Sequence, residues 1–431
     1  MSTDERWATG SAEERRARAL DAADPLARFR SRFHVPLHED GQPVAYFCGN
    51  SLGLQPVGVQ ADVVAELEDW QTLAVRAHLE GRDPWYPYHR QFREPMARLV
   101  GARPEEVVLM NGLTVNLHLM MVSFYRPEGT RRRILMEDAA FSSDRYAVET
   151  QLRVHGVDPA DGLIAVPATD GACLDEAEIE RRIEDAGDTL ALVLLGGVNF
   201  LTGQRLDLAR IARAAHAVGA RVGFDLAHAA GNVPLSLHDD GADFAVWCTY
   251  KYLNAGPGAV AGCFVHERHA HDRALPRFGG WWGYDPDTRF QLHLRPDFVP
   301  VASADGWQLS NPPILALAPL KASLALFDEA GLPALRAKSV ALTGYLESLL
   351  DTLPAGRFRV LTPRDPERRG AQLSLQVEGG GARALEHRLM AQGIVCDARE
   401  PDVLRASPAP LYNTFQDVWR LAAALADEAA A

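Results

Sequence analysis

The chain has 431 residues, 47% hydrophobic and 23% charged, which is an ordinary composition for a globular protein. The formal net charge of −13 argues against a nucleic-acid partner, because no basic face is available to neutralise phosphates. No apolar run approaches the ~20 residues of a membrane-spanning helix, and the stretch up to Arg30 lacks the apolar core of a signal peptide.

The chain begins with an arm, about residues 1–45, whose helical periodicity predicts packing against the C-terminal part. Beyond it, short apolar runs alternate with amphipathic stretches. Strands are predicted at 106–110, 133–136, 190–198, 221–225, 244–249 and 260–265, and helices at 114–124, 143–154 and 207–218. This alternation predicts a large α/β domain, residues 46–312, with a mainly parallel sheet sandwiched by helices. Ligands of such sheets bind at the carboxyl ends of the strands.

The pattern changes after Asn311-Pro312-Pro313. A long helical region, 315–353, is interrupted near Gly331 and Pro333. Short strands are then predicted at 358–361, 372–375, 394–396 and 403–405, with one helix running through 389 and another from about 415. Residues 313–431 are therefore expected to form a smaller α+β domain.

The five cysteines are scattered and show no CxxC or Cys/His ligand spacing. This distribution predicts buried thiols in a reducing compartment, with neither a disulfide framework nor a metal site. With the absence of a signal peptide, it predicts a cytoplasmic protein.

Lysine is nearly absent: the chain has only Lys251, Lys321 and Lys338. In a chain that otherwise uses arginine, a lysine before Gly256-Pro257-Gly258 suggests a need for an amine that can lose its proton. Lys251 is thus a candidate Schiff-base former. The alternative is a surface lysine before a turn. Lys321 and Lys338, in helical stretches, are expected to be surface lysines.

Asp225 ends a predicted buried strand, with His228 three residues on and Lys251 after the next strand. Burying a carboxylate there costs free energy unless a cation lies beside it. The protonated ring nitrogen of pyridoxal phosphate is such a cation, and it needs an acidic partner to act as an electron sink. A helix cap is the alternative for Asp225.

Other strand ends carry weaker signals. The junction around Thr114 offers free N–H groups and a hydroxyl to a phosphate, although a plain N-cap is the alternative. Phe141 could stack on a flat ring or lie in the core, and Tyr250 could act as an acid/base or only pack. Neither a G-x-x-x-x-G-K-[ST] loop nor a G-x-G-x-x-G junction is present, so neither usual nucleotide fold is supported.

Ordered blocks from about Tyr46 to Trp419 give the chain a family resemblance. The blocks are 46–56, 111–118, 123–127, 140–144, 224–231, 250–258, 280–283, 308–315 and 410–413. In them the chain resembles kynureninase, a pyridoxal-phosphate hydrolase of the aspartate-aminotransferase-like fold (fold type I). The resemblance implies a large domain with a seven-stranded-type sheet and a smaller C-terminal domain.

The resemblance also implies catalytic and cofactor-binding roles. Lys251 would bind the cofactor aldehyde and move protons, Asp225 would pair with the ring nitrogen, and Tyr250 is the candidate acid/base. The implied cofactor-binding residues are Leu113, Thr114, Phe141, Asp144, Asp225, His228, Tyr250, Lys251, Trp281 and Asn311.

The implied substrate-binding residues are Ser51, His78, Asn311 and Arg405. Arg405 matches the arginine that clamps the substrate α-carboxylate, which suits a bidentate guanidinium; without the resemblance it would be taken for a surface arginine. In the family Trp281 and Asn311 reach the site from the neighbouring subunit, which implies a homodimer with shared sites.

The implied reaction is hydrolytic Cβ–Cγ cleavage of L-kynurenine or 3-hydroxy-L-kynurenine to anthranilate or 3-hydroxyanthranilate plus L-alanine, in tryptophan catabolism. Another fold-type-I enzyme, such as a class V aminotransferase or a cysteine desulfurase, is the alternative. A further alternative is a binding or interaction protein that kept the fold and lost catalysis. One departure stands out: Gly196 lies where the family commonly has Ser or Thr, so a hydroxyl hydrogen bond near the cofactor is missing or is replaced by a water.

Overall fold

The computed structural model of the protein describes residues 3–169 and 172–430. The helices in this described part are α1 (Thr3–Trp7), α2 (Ala12–Ala22), α3 (Val59–Leu73), α4 (Ala77–Glu80), α5 (Arg93–Val100), α6 (Leu113–Phe124), α7 (Ser142–Val154), α8 (Pro159–Gly162), α9 (Glu176–Ala186), α10 (Leu208–Ala217), α11 (Leu237–Asp240), α12 (Ile314–Ala330), α13 (Leu332–Leu350), α14 (Ala382–Met390) and α15 (Phe415–Ala430). The strands of the two main sheets are β1 (Val107–Leu109), β2 (Arg133–Glu137), β3 (Leu163–Val166), β4 (Leu190–Gly196), β5 (Arg221–Asp225), β6 (Phe244–Trp247), β7 (Gly262–Val265), β8 (Phe358–Val360), β9 (Leu373–Val377), β10 (Asp397–Arg399) and β11 (Val403–Ala406).

The large sheet has seven strands in the order β1-β7-β6-β5-β4-β2-β3. Strand β7 runs antiparallel to both of its neighbours, and the other pairs are parallel. The expectation of an α/β domain with a mainly parallel seven-stranded sheet is therefore confirmed. Strand β3 and helix α9 were not predicted.

The strands of this sheet are buried on both faces. Along β4, Val193 and Leu195 belong to one apolar layer and Leu192 and Leu194 to the other. A strand covered by helices on both sides needs apolar residues at every position, which explains the continuous apolar runs in the sequence.

Adjacent strands bring polar residues together at the carboxyl edge of the sheet. Gly196 at the end of β4 pairs with Asp225 at the end of β5. Glu137 ends β2, which pairs with the other side of β4. The three strand ends consequently lie side by side.

The C-terminal sheet has four antiparallel strands in the order β8-β9-β11-β10, and it packs with α13, α14 and α15 around its own apolar core. This confirms a C-terminal α+β domain. The domain boundaries at residues 45 and 312 stay predictions. Leu317 and Leu320 of α12 pack in the core of the large sheet.

The N-terminal arm contacts the C-terminal helices. Ala17 of α2 lies in the C-terminal core. The carboxylate of Asp21 accepts hydrogen bonds from the backbone N–H groups of Phe415 (2.7 Å) and Gln416 (3.0 Å) at the start of α15. The arm thus satisfies two N–H groups at the start of the last helix, in addition to the local cap from Thr414.

The surface location expected for Lys338 is wrong. Its side chain is buried in an ion pair with Asp24, because the arm covers this part of α13. Lys321 is partly buried and pairs with Asp83.

Candidate active site

A cavity of about 230 Å³ opens at the carboxyl edge of the large sheet, with residues of the C-terminal domain on one side. The predicted site residues that line it are Ser51, Leu113, Thr114, Phe141, Asp144, Asp225, His228, Tyr250, Lys251 and Arg405. Asn50, Ser143, Phe200 and Arg399 line it as well, without having been assigned a role from the sequence.

Lys251 lies in a tightly bonded turn between β6 and β7. Its carbonyl accepts from Asn254 N–H (3.0 Å), and Thr249 Oγ1 donates to Val260 O (2.6 Å). Asn254 has a left-handed backbone (φ 53°), and Gly53 packs so closely that a Cβ there would lie 2.5 Å from the Lys251 carbonyl oxygen. These contacts fix the direction in which the lysine side chain leaves the backbone.

The amine of Lys251 and the ring of Phe141 face the same space. Lys251 Nζ lies 5.9 Å from the centre of the Phe141 ring, which is 45% exposed and meets the Phe200 ring edge-on at 5.4 Å. A half-exposed phenyl ring beside an amine can cover one face of a flat aromatic ligand.

Three acidic side chains converge below this space. Asp225 Oδ1 accepts from Ala227 N–H (2.6 Å), and burial together with the charge of Asp225 raises the pKa of Asp144. Burial raises the pKa of Glu137 to about 7. Within the described residues, Asp144 Oδ1 has no hydrogen-bond partner. Of the three, Asp225 and Asp144 line the cavity and are suited to a cationic ring nitrogen.

His228 is buried beside the same acids. Burial, followed by the charge of Lys251, lowers the pKa of the imidazole, so it is neutral at pH 7. Its Nδ1 makes no hydrogen bond to any described residue, although its backbone carbonyl accepts from Asn232 Nδ2. A buried imidazole nitrogen without a partner is available to a ligand.

Two helices start at the wall of the cavity. Helix α6 begins at Leu113 without a side-chain cap, after Asn111 in a left-handed conformation (φ 49°). Helix α7 begins at Ser142, and Ser143 Oγ lies 3.1 Å from Thr114 Oγ1. Uncapped N–H groups and paired hydroxyls at two helix starts are suited to a phosphate.

Tyr250 and Arg405 complete the wall. Burial raises the pKa of Tyr250, so the phenol stays protonated at neutral pH. Arg405 is buried; its Nε donates to Asp397 Oδ1 (3.0 Å) and its Nη1 to Phe200 O (2.6 Å). Nη2 lies 2.8 Å from Asp397 Oδ1 but is not aligned for a hydrogen bond, and it has no other partner in the described chain. That N–H group is left for an anionic ligand.

His78, Trp281 and Asn311 do not line this cavity. His78 and Asn311 share another cavity, of about 480 Å³, with Trp70 and Trp85. Trp281 is 40% exposed and packs on Trp282 at 4.8 Å. Within one chain, the structure therefore does not bring these three predicted residues to Lys251.

Glu137 was missed from the sequence, although the signal that singled out Asp225, a carboxylate at the end of an apolar strand, applies to it equally. A Cβ at Gly196 would lie 3.0 Å from Glu137 Oε1. The place where Ser or Thr was expected is therefore bordered by this carboxylate.

Solved structures with a similar fold include a cysteine desulfurase from Thermococcus onnurineus (TM-score 0.75, 18% identical, covering 94% of this chain and 98% of that one). A variant of the lyase C-DES with glycine covalently linked to its pyridoxal-phosphate cofactor is also similar (TM-score 0.73, 20% identical, 89% and 96% covered). At this level of identity the likeness concerns the fold alone.

Relatives in sequence are much more similar. Proteins named kynureninase from Myxococcus xanthus and Koribacter versatilis are 59% and 55% identical to this chain, over 94% and 93% of its length and 94% of theirs. The family model for the kynureninase C-terminal domain matches residues 335–425. By sequence the chain belongs to the kynureninase family.

Proposed function

We propose that this protein uses pyridoxal 5'-phosphate to hydrolyse L-kynurenine or its 3-hydroxy form to L-alanine and anthranilate or 3-hydroxyanthranilate. The observation that carries the proposal is the position of Lys251, which faces Phe141 above Asp225 and Asp144, in a chain 55–59% identical to named kynureninases.

The residues present fit this cofactor. Phe141 offers a face for the ring, Asp225 and Asp144 a partner for its protonated nitrogen, and the starts of α6 and α7 a site for its phosphate. The unpartnered His228 Nδ1 and Asp144 Oδ1 are further groups that a polar ligand would satisfy. When bound, the cofactor supplies an electron sink for carbanions next to the substrate amine.

The chain's own groups would move the protons. Lys251 removes the proton from the substrate Cα and later returns it, while Asp225 and Asp144 keep the ring nitrogen protonated. Tyr250 serves as the acid at the substrate γ-carbonyl to which water adds, since its phenol is protonated at neutral pH. One water is consumed, the Cβ–Cγ bond breaks, and Cβ receives a proton to give alanine.

Arg405 would bind the substrate α-carboxylate, and Ser51 would lie near the aryl group. The support is the buried guanidinium at the cavity wall, whose Nη2 lies near Asp397 but makes no aligned hydrogen bond to a described residue. Asp397 and Phe200 O hold its other nitrogens, so the group is oriented in advance.

The proposed active form is a homodimer in which His78, Trp281 and Asn311 of one subunit border the cofactor cavity of the other. The support is a band of exposed apolar side chains on α3 and the start of α12 around the second cavity: Val64, Leu67, Trp70 and Leu315. Exposed apolar patches of this kind mark protein interfaces.

We also propose a cytoplasmic location and the division into an arm (1–45), a large domain (46–312) and a small domain (313–431). None of the helices in the described residues is long and apolar enough to cross a membrane. Cys48, Cys248, Cys263 and Cys396 are buried free thiols, which suits a reducing compartment.

The desulfurase alternative is less favoured because it requires a reactive thiolate at the site. Cys248 lines the cavity, but burial raises the pKa of its thiol to about 11. A thiol in that state is a poor nucleophile.

The proposal is tested by adding kynurenine to the purified holoenzyme and following anthranilate fluorescence. Wild type is expected to produce equimolar anthranilate and alanine, and Lys251→Ala to lack the absorbance band of the lysine-bound cofactor and to show no turnover. Lys321→Ala is the matched lysine control and should keep both the lysine-bound cofactor and the turnover. A yellow, active Lys251→Ala protein, or sulfide release from cysteine at a higher rate than anthranilate release, would overturn it.

A further inference from the structure

The turn from Asn199 to Thr202 follows β4 and touches both sides of the site. On the C-terminal side, three consecutive carbonyls accept hydrogen bonds from the small domain. Phe200 O accepts from Arg405 Nη1 (2.6 Å) and Gln372 Nε2 (3.1 Å), and Leu201 O from Ser374 Oγ (2.6 Å). Thr202 O accepts from Thr362 Oγ1 (2.5 Å). The turn therefore contacts the guanidinium of Arg405 through the Phe200 carbonyl.

Asn199 determines the shape of this turn. Its Oδ1 accepts from the N–H groups of Leu201 (3.0 Å) and Thr202 (2.9 Å) and from the Thr202 hydroxyl (3.1 Å). A side-chain oxygen that accepts from the next residues closes a local turn in place of a backbone carbonyl. The direction of the Phe200 carbonyl thus depends on where the Asn199 side chain is held.

Glu137 holds that side chain from the sheet side. Its Oε2 accepts from Asn199 Nδ2 at 2.7 Å, and its Oε1 lies 3.4 Å from the Gly196 N–H group. Both Glu137 and Asn199 are buried, so water does not compete for the bond. The absence of a side chain at Gly196 leaves room for this carboxylate.

We propose that Glu137 is a positioning residue for substrate binding: through Asn199 it fixes the turn whose Phe200 carbonyl orients Arg405. Glu137 touches neither the substrate nor the reacting atoms in this scheme. The inference rests on the proposed role of Arg405 as the α-carboxylate ligand. A residue at the end of a strand in the large domain would then align a guanidinium of the small domain.

If Glu137 positions Arg405, its loss should weaken the binding of ligands through their α-carboxylate and leave other ligands unaffected. Removing the carboxylate in Glu137→Ala leaves Asn199 Nδ2 unpartnered and frees the turn, which is expected to cost about tenfold in binding, the size of one buried hydrogen bond. With the cofactor-loaded enzyme in calorimetry, the dissociation constant of L-alanine should rise about tenfold. That of anthranilate, which lacks the α-carboxylate, should stay unchanged.

A double-mutant cycle on kcat/KM for kynurenine tests the route through Arg405. Glu137→Ala is expected to lower kcat/KM about tenfold in wild type, mainly through KM, and less than about twofold in an Arg405→Ala background. An equal loss in both backgrounds would overturn the proposal. If Arg405→Ala alone has no effect, it is the role of Arg405 that fails, and the two failures are thereby distinguished.

Conservative and control variants separate positioning from general damage. Glu137→Gln keeps an acceptor for Asn199 Nδ2 and should restore alanine binding to within about threefold of wild type. Asn199→Asp keeps the acceptor inside the turn but loses the donor to Glu137, so it should reproduce the loss even if Glu137→Ala fails to fold. Glu106→Ala removes another buried carboxylate, which accepts from the backbone N–H of Glu267 and bonds to the His238 ring, and it should leave alanine binding unchanged. Lower stability of the Glu137 and Asn199 variants with unaltered alanine binding would refute the proposal.

Discussion

Lys338 Nζ lies 2.7 Å from Asp24 Oδ2, and both side chains are almost completely removed from solvent. The pair joins the end of α2 to the middle of α13, and thus the N-terminal arm to the helices of the C-terminal domain. Burial lowers the pKa of Lys338, while the Asp24 carboxylate opposes that shift. A buried ion pair of this kind is costly to break from one side only.

Lys338→Ala is therefore expected to lower the free energy of unfolding by about 3–5 kcal/mol, because the Asp24 carboxylate loses its buried counter-ion. Lys321→Ala, which removes the partly exposed partner of Asp83, should cost about 0–1 kcal/mol. Urea unfolding of both variants at one protein concentration measures the difference. Equal effects would mean that the Lys338 pair is no stronger than a surface pair.

Glu137 makes the stability of the cofactor-free protein depend on pH. Its pKa rises from 4.5 to about 7 on folding, so the folded state holds the proton more tightly than the unfolded chain. Its contribution is fully present below pH 4.5 and is lost as the pH rises to about 7. We expect the stability of wild type relative to Glu137→Gln to fall by roughly 2–4 kcal/mol across that window. A stability difference between wild type and Glu137→Gln that does not vary with pH would contradict the raised pKa of Glu137.

Tyr250→Phe removes the proposed acid without removing the ring. The expected result is a loss of about 10²–10⁴ in kcat at saturating cofactor. Tyr252→Phe is the matched control, because its buried hydroxyl lies 3.3 Å from Ser407 Oγ and the residue does not line the cavity. Rapid-quench and steady-state rates, together with the cofactor dissociation constant, distinguish the roles. If only cofactor affinity falls and kcat is retained, Tyr250 serves the phosphate and not the substrate.

Trp70→Glu tests the proposed dimer. Trp70 is 59% exposed in one chain, so a charge there should leave the fold intact and split the dimer. Light scattering is expected to show a monomer with much reduced turnover, since His78, Trp281 and Asn311 could no longer reach the other subunit's cavity. Val154→Glu, at an exposed apolar position on α7, should remain dimeric and active. A fully active Trp70→Glu monomer would exclude shared sites.

The burial of each strand and helix determines how well the sequence predicted it. Strands such as β4 and β5 are covered on both faces, and their continuous apolar runs are easy to identify. The edge strand β3 is fully buried only at Val166, so its pattern is not distinctive. Helix α9 presents Ile179 and Ile183 to the core from an otherwise charged sequence, and two apolar residues do not make a clear period.

The same reasoning applies to the site. Lys251, Asp225 and Phe141 became candidates because each ends or follows a strand that the sequence marks clearly, and the family resemblance then implied their roles. Contacts between distant segments could not be predicted, since they depend on how the two domains pack. The bonds of Phe200 to Arg405 and of Asn50 to Gln372 (2.9 Å) are of this kind. The ion pair of Lys338 was missed for the same reason.

Strand β7 runs against its neighbours, and this reversal has a consequence for the segment that carries Lys251. A parallel successor to β6 would need a crossover of about a dozen residues to the far edge of the sheet. The antiparallel β7 instead starts where β6 ends, so residues 248–261 form a hairpin loop that never leaves the ligand-binding edge. Cys248, Tyr250 and Lys251 are therefore delivered by one continuous segment, tethered at both ends to buried strands.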